Sequence, residues 1–308
     1  MVGIISKNKI HNAIICVFPN SKITKIKKLG KGMINENYDL SIRNPKKNLI
    51  LRVYPKDDWK AKKEEYLYRL VSHKTDVPVP EVYMADTSKK ILPNAFILYS
   101  KIEGISLGDY YKKTKNKRII FRAGEILAKI HSIKFPAYGW IMGREIMPKF
   151  SRWADFMGYD MEEKVGKLLM IRKIQRKTIR RIADYYNEKK SLLDVKDAPS
   201  LLHKDYHFSH IFVDDGKISG IIDMEWAVAG HNELDIAKSK WFMFERFPEI
   251  EKPFMNGYKK YGRTSAKFEE RANIYRLTLL VGLTGLSYEL KDRKWLDYNI
   301  RKMEELIR

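Results

Sequence analysis

Residues 201–237 read LLHKDYHFSHIFVDDGKISGIIDMEWAVAGHNELDIA. A short apolar approach gives way to a polar loop holding His203, Asp205 and His207, and two apolar runs follow. His210–Val213 and Ile218–Ile222 flank Asp214-Asp215-Gly216, and Asp-Gly between such runs signals two antiparallel strands joined by a tight turn. Asp223 comes directly after the second strand, while Asp205 lies on the loop before the first. Two carboxylates and an imidazole are thereby delivered to one end of a hairpin. Metal–phosphate sites are commonly assembled this way, with ligands on a rigid frame and reacting groups on its loops.

The pattern His203-x-Asp205, His210, Gly220-Ile221-Ile222-Asp223, Glu225-Trp226, Gly230 and Asp235-Ile236-Ala237 resembles the catalytic block of the aminoglycoside phosphotransferase family. That block usually reads His-Gly-Asp, four residues, Asn, a hairpin, Ile-Asp-Trp-Glu, then Gly and Asp-Leu-Ala. The chain departs from it at Lys204 for Gly, at Met224 for the aromatic, and at His210 for Asn. Some members acting on aminoglycosides or macrolides are similar in carrying His at the last of these.

The resemblance implies an α+β, two-lobed, protein-kinase-like fold. An N-terminal antiparallel sheet lobe with one helix would span 1–99, a hinge 100–104, and a larger, mainly helical lobe with the catalytic hairpin 105–308. It also implies transfer of the terminal phosphoryl group of ATP or GTP to a small-molecule hydroxyl, of an aminoglycoside or another sugar or amino alcohol. Asp205 would accept the hydroxyl proton, and Asp223 with His210 would hold Mg2+ against the nucleotide phosphates. Imidazole is a softer donor than an amide oxygen, so His210 would weaken magnesium or favour manganese. His203 would tie the catalytic loop to the backbone near Asp223, and Asp235 would anchor the loop after Trp226. Two rival readings use the same residues. His203, His207 and His210, at i, i+4 and i+7, would share a helix face as a zinc site. A kinase fold that binds a nucleotide or partner and transfers nothing is the other, kept open by Arg52 and His210.

At 308 residues the chain has length for two cores, and 44% hydrophobic with 12% aromatic residues is a globular composition. No apolar run approaches the roughly 18 residues that span a bilayer. The short run Ala13–Phe18 lacks a small-residue cleavage pattern, and the single Cys16 rules out an internal disulfide, which suits a reducing cytoplasm. The formal charge of +22 invites a nucleic-acid reading. Neither a recognition helix nor a sheet interleaving aromatic and basic residues is evident, so the lysines read as solvated surface and no nucleic-acid or membrane partner is expected. Nothing in the sequence sets the oligomeric state.

Ahead of the catalytic block, Ile23–Leu29 and Glu36–Ile42 alternate as strands around the turn Gly30–Asn35, where Gly30 and Gly32 would let backbone N–H groups approach phosphate. The turn resembles the family's nucleotide loop, including Asn35. Asn48–Tyr54 forms a third strand, on which kinase-like enzymes place a cation paired to a Glu of the next helix. Arg52 takes that place, with Glu64, or its neighbour Glu65, on a helix from Asp58 to about Ser72. Val77-Pro78-Val79-Pro80 leads into extended Glu81–Met84, and Ala95–Tyr99 is a further strand. By the resemblance, the hinge would pair with the purine through the backbone of Ser100 and Ile102, and Tyr99 would bias the choice of base. An apolar stripe marks a helix over Arg118–Ile133, further helices are expected over Leu234–Phe244, Asn273–Leu290 and Tyr298–Ile307, and a basic amphipathic stretch runs from Met161 to Leu193. His131 reads as a capping or packing residue. Asp155, Asp160, Glu225, Glu245 and Glu289 are the carboxylates that could receive a cationic acceptor.

Overall fold

The computed structural model describes residues 5–30 and 34–308. Helix α1 (Lys7–Ile15), where Ser6 accepts a hydrogen bond from the Lys9 N–H, precedes strands β1 (Lys22–Lys28), β2 (Glu36–Arg43) and β3 (Lys47–Tyr54). Then come α2 (Trp59–Lys74), β4 (Val82–Asp86), β5 (Ala95–Ser100), β6 (Ile105–Ser106), α3 (Leu107–Thr114) and α4 (Lys117–His131). The middle of the chain holds β7 (Gly139–Met142), β8 (Glu145–Ile146), α5 (Trp153–Leu168), α6 (Arg176–Lys189) and β9 (Ser200–Leu202). It closes with β10 (Ile211–Asp214), β11 (Lys217–Ile221), β12 (Val228–Gly230), α7 (Glu233–Ser239), α8 (Glu251–Tyr258), α9 (Phe268–Glu289) and α10 (Arg293–Leu306). The elements group into two compact units.

The first unit comprises the chain up to Ile119 with Ile141–Glu145 and Phe208–Trp226. Its antiparallel sheet runs β1-β2-β3-β5-β4, so β3 is central, and Leu51 through Tyr54 are buried on both faces. Arg52 is therefore an interior residue and needs partners. Helix α2 packs on β4 and β5, and its buried Ala61, Glu64, Tyr68 and Val71 are spaced three or four apart so that they share one face, with Leu67 beside them. Helix α1, which the sequence reading does not place, buries Ile10, Ala13 and Ile14 in a cluster with Leu40, Leu49 and Leu98. Its apolar positions are few and short, which is why the periodicity is faint.

The hairpin also lies in this unit. β10 pairs with β11 on one side and β6 on the other. Asp214 pairs with Lys217, leaving Asp215 (φ 44°) and Gly216 (φ 70°) as a two-residue loop. Two left-handed residues define the turn whose twist matches the flanking strands.

The second unit is mainly helical. Helix α9 packs against α5, α7 and α10, with Leu277, Leu280 and Val281 fully buried. In a short sheet, β12 pairs with β9 and with Gly139 and Trp140 of β7. Helices α4 and α8 meet at glycines: a Cβ on Gly124 would collide with the Phe254 carbonyl, and one on Gly257 with the Phe121 carbonyl. The stretch from Met161 to Leu193 is two helices and not one. The chain turns after Leu168 so that Ile171 and Ile174 are buried, leaving Leu169 and Met170 exposed. No helix among the described residues is long and apolar enough to cross a membrane.

Candidate active site

In the first unit the site is built around Arg52. Its Nη2 lies 3.0 Å from Asp223 Oδ1 and 2.9 Å from Glu225 Oε1, and its Nε is 3.4 Å from Glu64 Oε2. Three elements supply these groups: the central strand β3, the buried face of α2, and the segment after β11. Burial works against a charged guanidinium, but Asp223, Glu64 and Glu225 together hold Arg52 well above its ordinary range. Burial pushes the Glu64 carboxyl up, and the neighbouring Asp223 and Glu225 add to this against the pull of Arg52. Glu64 also receives hydrogen bonds from the hydroxyls of Tyr54 and Tyr68, while the Tyr68 oxygen accepts the Asp223 N–H at 2.9 Å. Glu65, one residue on, faces outward and pairs with Lys62 and Arg69.

Asp223 has a left-handed backbone (φ 69°), and its Oδ2 is 3.5 Å from His210 Nε2 at the start of the hairpin. Glu225 is fully engaged: Oε2 accepts from Asn35 Nδ2 at 3.0 Å and lies 3.3 Å from Lys60, whose ammonium sits 4.1 Å over the Trp226 ring. Its carboxylate thus belongs to the Arg52 cluster and is unavailable to an acceptor. Asn35 is buried with its Oδ1 lacking a hydrogen-bond partner among the described residues. Gly30 occupies a bend where an added Cβ would meet nothing within 4 Å among the described residues. Gly32 lies outside the described residues.

Tyr99 is buried on β5, its ring edge-on to Tyr68 at 5.9 Å. The Ser100 N–H donates to the Glu81 carbonyl at 2.9 Å, so this hinge position can offer a ligand its carbonyl and not its N–H. Neither backbone polar group of Ile102 has a hydrogen-bond partner among the described residues. The Ile102 side chain packs where Gly220 would carry a Cβ, and Ser219 Oγ donates to the Glu103 carbonyl at 2.7 Å.

Asp205 lies in the second unit, where α7 grips its loop. Asp235 accepts the backbone N–H groups of His203 and Lys204 at 2.7 and 2.8 Å, so it anchors the loop before the hairpin and not the one after Trp226. Lys238, one turn further along α7, donates to Asp205 Oδ1 and to the Lys204 carbonyl, both at 2.5 Å. The sequence reading passes over Lys238. Its signal is the i, i+3 spacing from Asp235, which puts both on one face of α7. His203 is buried and its Nδ1 accepts the Asp205 N–H at 3.2 Å. His207 Nε2 is 3.6 Å from Asp205 Oδ1, and its ring stacks on Phe242. Residues 203–210 are bends and turn, so His203, His207 and His210 share no helix face.

His131, at the end of α4, lies 3.2 Å from Asp235 Oδ2 and 2.8 Å from the Tyr258 hydroxyl. Burial lowers its pKa despite Asp235, so the neutral ring donates to Asp235 and accepts from Tyr258. Lys204 is left-handed (φ 59°) with its ammonium 4.4 Å over Trp140, and burial, together with nearby Lys164 and Lys238, lowers its pKa to about 8.

Residues 25–268 match the profile of the phosphotransferase enzyme family, APH. Among solved structures, the chain superimposes on aminoglycoside phosphotransferase APH(4)-Ia with a TM-score of 0.75 at 15% identity, over 98% of each chain. Aminoglycoside phosphotransferase APH(2")-IIa in a ternary complex with streptomycin and ATP gives 0.67 at 17% identity, over 99% of this chain and 97% of that one. A Thermobifida fusca protein described as a fructosamine-3-kinase candidate gives 0.70 at 16% identity, over 96% and 100%. No curated protein is significantly similar to the chain in sequence. The antiparallel sheet unit and the helical unit are thus those of a kinase-like fold, and the chain belongs to the aminoglycoside phosphotransferase (APH) family of phosphotransferase enzymes.

Proposed function

We propose that the protein is a small-molecule kinase that moves the terminal phosphoryl group of ATP or GTP onto a hydroxyl of its acceptor. The observation that carries this reading is the buried Arg52, paired at once with Glu64 on α2 and with Asp223 after the hairpin. A strand cation joined to a carboxylate of the next helix is the arrangement kinases use to orient a nucleotide's phosphates. Neighbouring structures hold AMP-PNP with hygromycin B, ATP with streptomycin, and GDP with kanamycin, which supports a nucleotide donor of either purine.

The donor end of the reaction falls to the first unit. The Ile102 backbone and the Ser100 carbonyl would receive the base, Gly30 and Asn35 would border the phosphates, and Arg52, held by Glu64, would bind them. Asp223 Oδ2 and His210 Nε2 are close enough to share one divalent ion, and one carboxylate with one neutral imidazole suits an ion that takes its other ligands from phosphate and water. When bound, Mg2+ would neutralise charge developing on the transferred group. Asp205, oriented by Lys238, would take the acceptor's hydroxyl proton as the new P–O bond forms. The bond from the terminal phosphorus to the β–γ bridging oxygen breaks, and the nucleoside diphosphate departs. The Arg52–Asp223 ion pair also favours a second reading, a nucleotide-binding protein that transfers nothing.

Diphosphate release from ATP and GTP, with water or added hydroxyl compounds as acceptors, separates the two. Asp205→Ala should lower turnover by roughly 10²–10⁴-fold while nucleotide binding survives. Near wild-type turnover in that variant would remove Asp205 as the base. Binding without turnover in the wild type would establish the second reading.

A further inference from the structure

Lys204 bears two costs, one in its backbone and one at its ammonium. Its φ of 59° is a conformation that disfavours every side chain but glycine. Its ammonium is also partly buried over Trp140, with no hydrogen bond or ion pair among the described residues. Asp160 attracts it from a distance but is itself bound by Lys164 at 2.5 Å. Residues held against their local preferences in this way cluster at active sites and ligand clamps. Lys204 adjoins Asp205, so such a ligand would be the acceptor.

The surrounding charge has the same sense. Lys164 and Lys238 are near enough to act on Lys204, and Lys238 is in contact with Asp205. Each carboxylate that could have received a cationic acceptor has a basic side chain beside it, on the exposed surface for Asp155, Glu245 and Glu289. Asp155 lies 3.7 Å from Arg152, Glu245 2.8 Å from Arg276 and Glu289 2.9 Å from Lys167, and Asp160 is held by Lys164. Glu225 is absorbed in the Arg52 cluster.

We infer that the acceptor is a hydroxyl compound bearing an anionic group, a phosphate ester or a carboxylate, which the Lys204 ammonium receives while Asp205 takes the hydroxyl proton. This rests on the phosphotransferase reading above and sets the acceptor apart from polycationic aminoglycosides. The product is the same anion with one further phosphomonoester.

The test is diphosphate release by the full chain with Mg2+ and ATP or GTP, over four sets of acceptors. These are sugar and polyol phosphates, hydroxy acids, neutral polyols, and aminoglycosides including hygromycin B and kanamycin. The highest kcat/KM should fall in one of the first two sets, and which one identifies the anion. Lys204→Gly, which also relieves the backbone, should raise KM for that acceptor roughly 10- to 100-fold with a smaller change in kcat, as loss of a charge-assisted hydrogen bond would. Lys204→Arg should restore most of the affinity. Preference for a neutral or aminoglycoside acceptor, no stimulation by any anionic acceptor, or a KM indifferent to Lys204→Gly would overturn the inference and leave the phosphotransferase reading standing. No diphosphate release from either donor, even to water, would overturn both.

Discussion

At Lys204 and Arg52 the chemistry of single side chains can be separated from the fold that carries them. The family pattern has glycine where Lys204 stands, and the left-handed backbone there explains why glycine suits the position. Lys204→Gly should therefore raise stability by about 1 kcal/mol through the backbone alone, read from urea unfolding near pH 10.5. The pH dependence has a definite sign. With its pKa lowered from 10.5 to about 8, the folded chain binds fewer protons than the unfolded chain between those values. Stability of the wild type should thus rise with pH across that window, and its deficit against Lys204→Gly should shrink. A constant deficit from pH 7 to 10.5 would show that the ammonium carries no burial cost. Arg52 behaves in the opposite way, because its charge is what makes its surroundings tolerable. Arg52→Met would leave Glu64, Asp223 and Glu225 without their shared cation and should cost about 3–5 kcal/mol, whereas Glu65→Lys on the outer face of α2 should stay within about 0.5 kcal/mol. Similar midpoints for the two variants in urea would contradict the buried cluster.

Elements whose residues alternate or recur regularly are the ones the sequence exposes. The hairpin is legible because Asp215-Gly216 supplies two left-handed residues between apolar runs, α2 and α4 because their apolar faces recur at helical spacing, and α9 because its middle is a continuous apolar run. Helix α1 has only three buried positions, Ile10, Ala13 and Ile14, and gives no comparable stripe. The break between α5 and α6 is hidden for another reason. No Pro or Gly stands at Leu169–Ile174, and the turn is set by where Ile171 and Ile174 find burial. At the site, motif residues were readable but their partners were not, since pairing is a tertiary property. Glu225, one of five carboxylates open to a cationic acceptor by sequence, is a partner of Arg52, and Lys238, which carries no motif, holds Asp205. The glycine contact between α4 and α8 is equally invisible in one dimension. Gly257→Ala should destabilise by about 1–3 kcal/mol through the Phe121 carbonyl, a cost that Gly30→Ala, with open space around it, should not show. Equal thermal shifts for the two would refute the close helix approach.

Across the whole molecule, the buried His131–Asp235 pair should shape the response to acid. His131 is favoured neutral in the fold, so below about pH 6.5 the unfolded chain takes up a proton that the folded chain resists, and stability falls. Asp235, buried but held below its ordinary pKa of 3.8 by His131 and the His203 N–H, adds stability above that value that is lost as pH falls further. The urea midpoint should drop from pH 7 to pH 5, and His131→Gln should flatten that drop. An unchanged slope would place the acid sensitivity elsewhere.

The central claim, that the first unit holds a nucleotide through a metal site at Asp223, is tested most directly by thermal shifts with ATP and GTP. Each nucleotide is added with and without Mg2+ to the wild type, Asp205→Ala and Asp223→Ala. A nucleotide at 100 times its dissociation constant adds about 2.7 kcal/mol of apparent stability, which is readily measured. The expected result is a magnesium-dependent shift in the wild type and Asp205→Ala that disappears in Asp223→Ala, with the larger shift identifying the purine. No shift with either nucleotide, or one indifferent to Mg2+ and to Asp223, would contradict the claim.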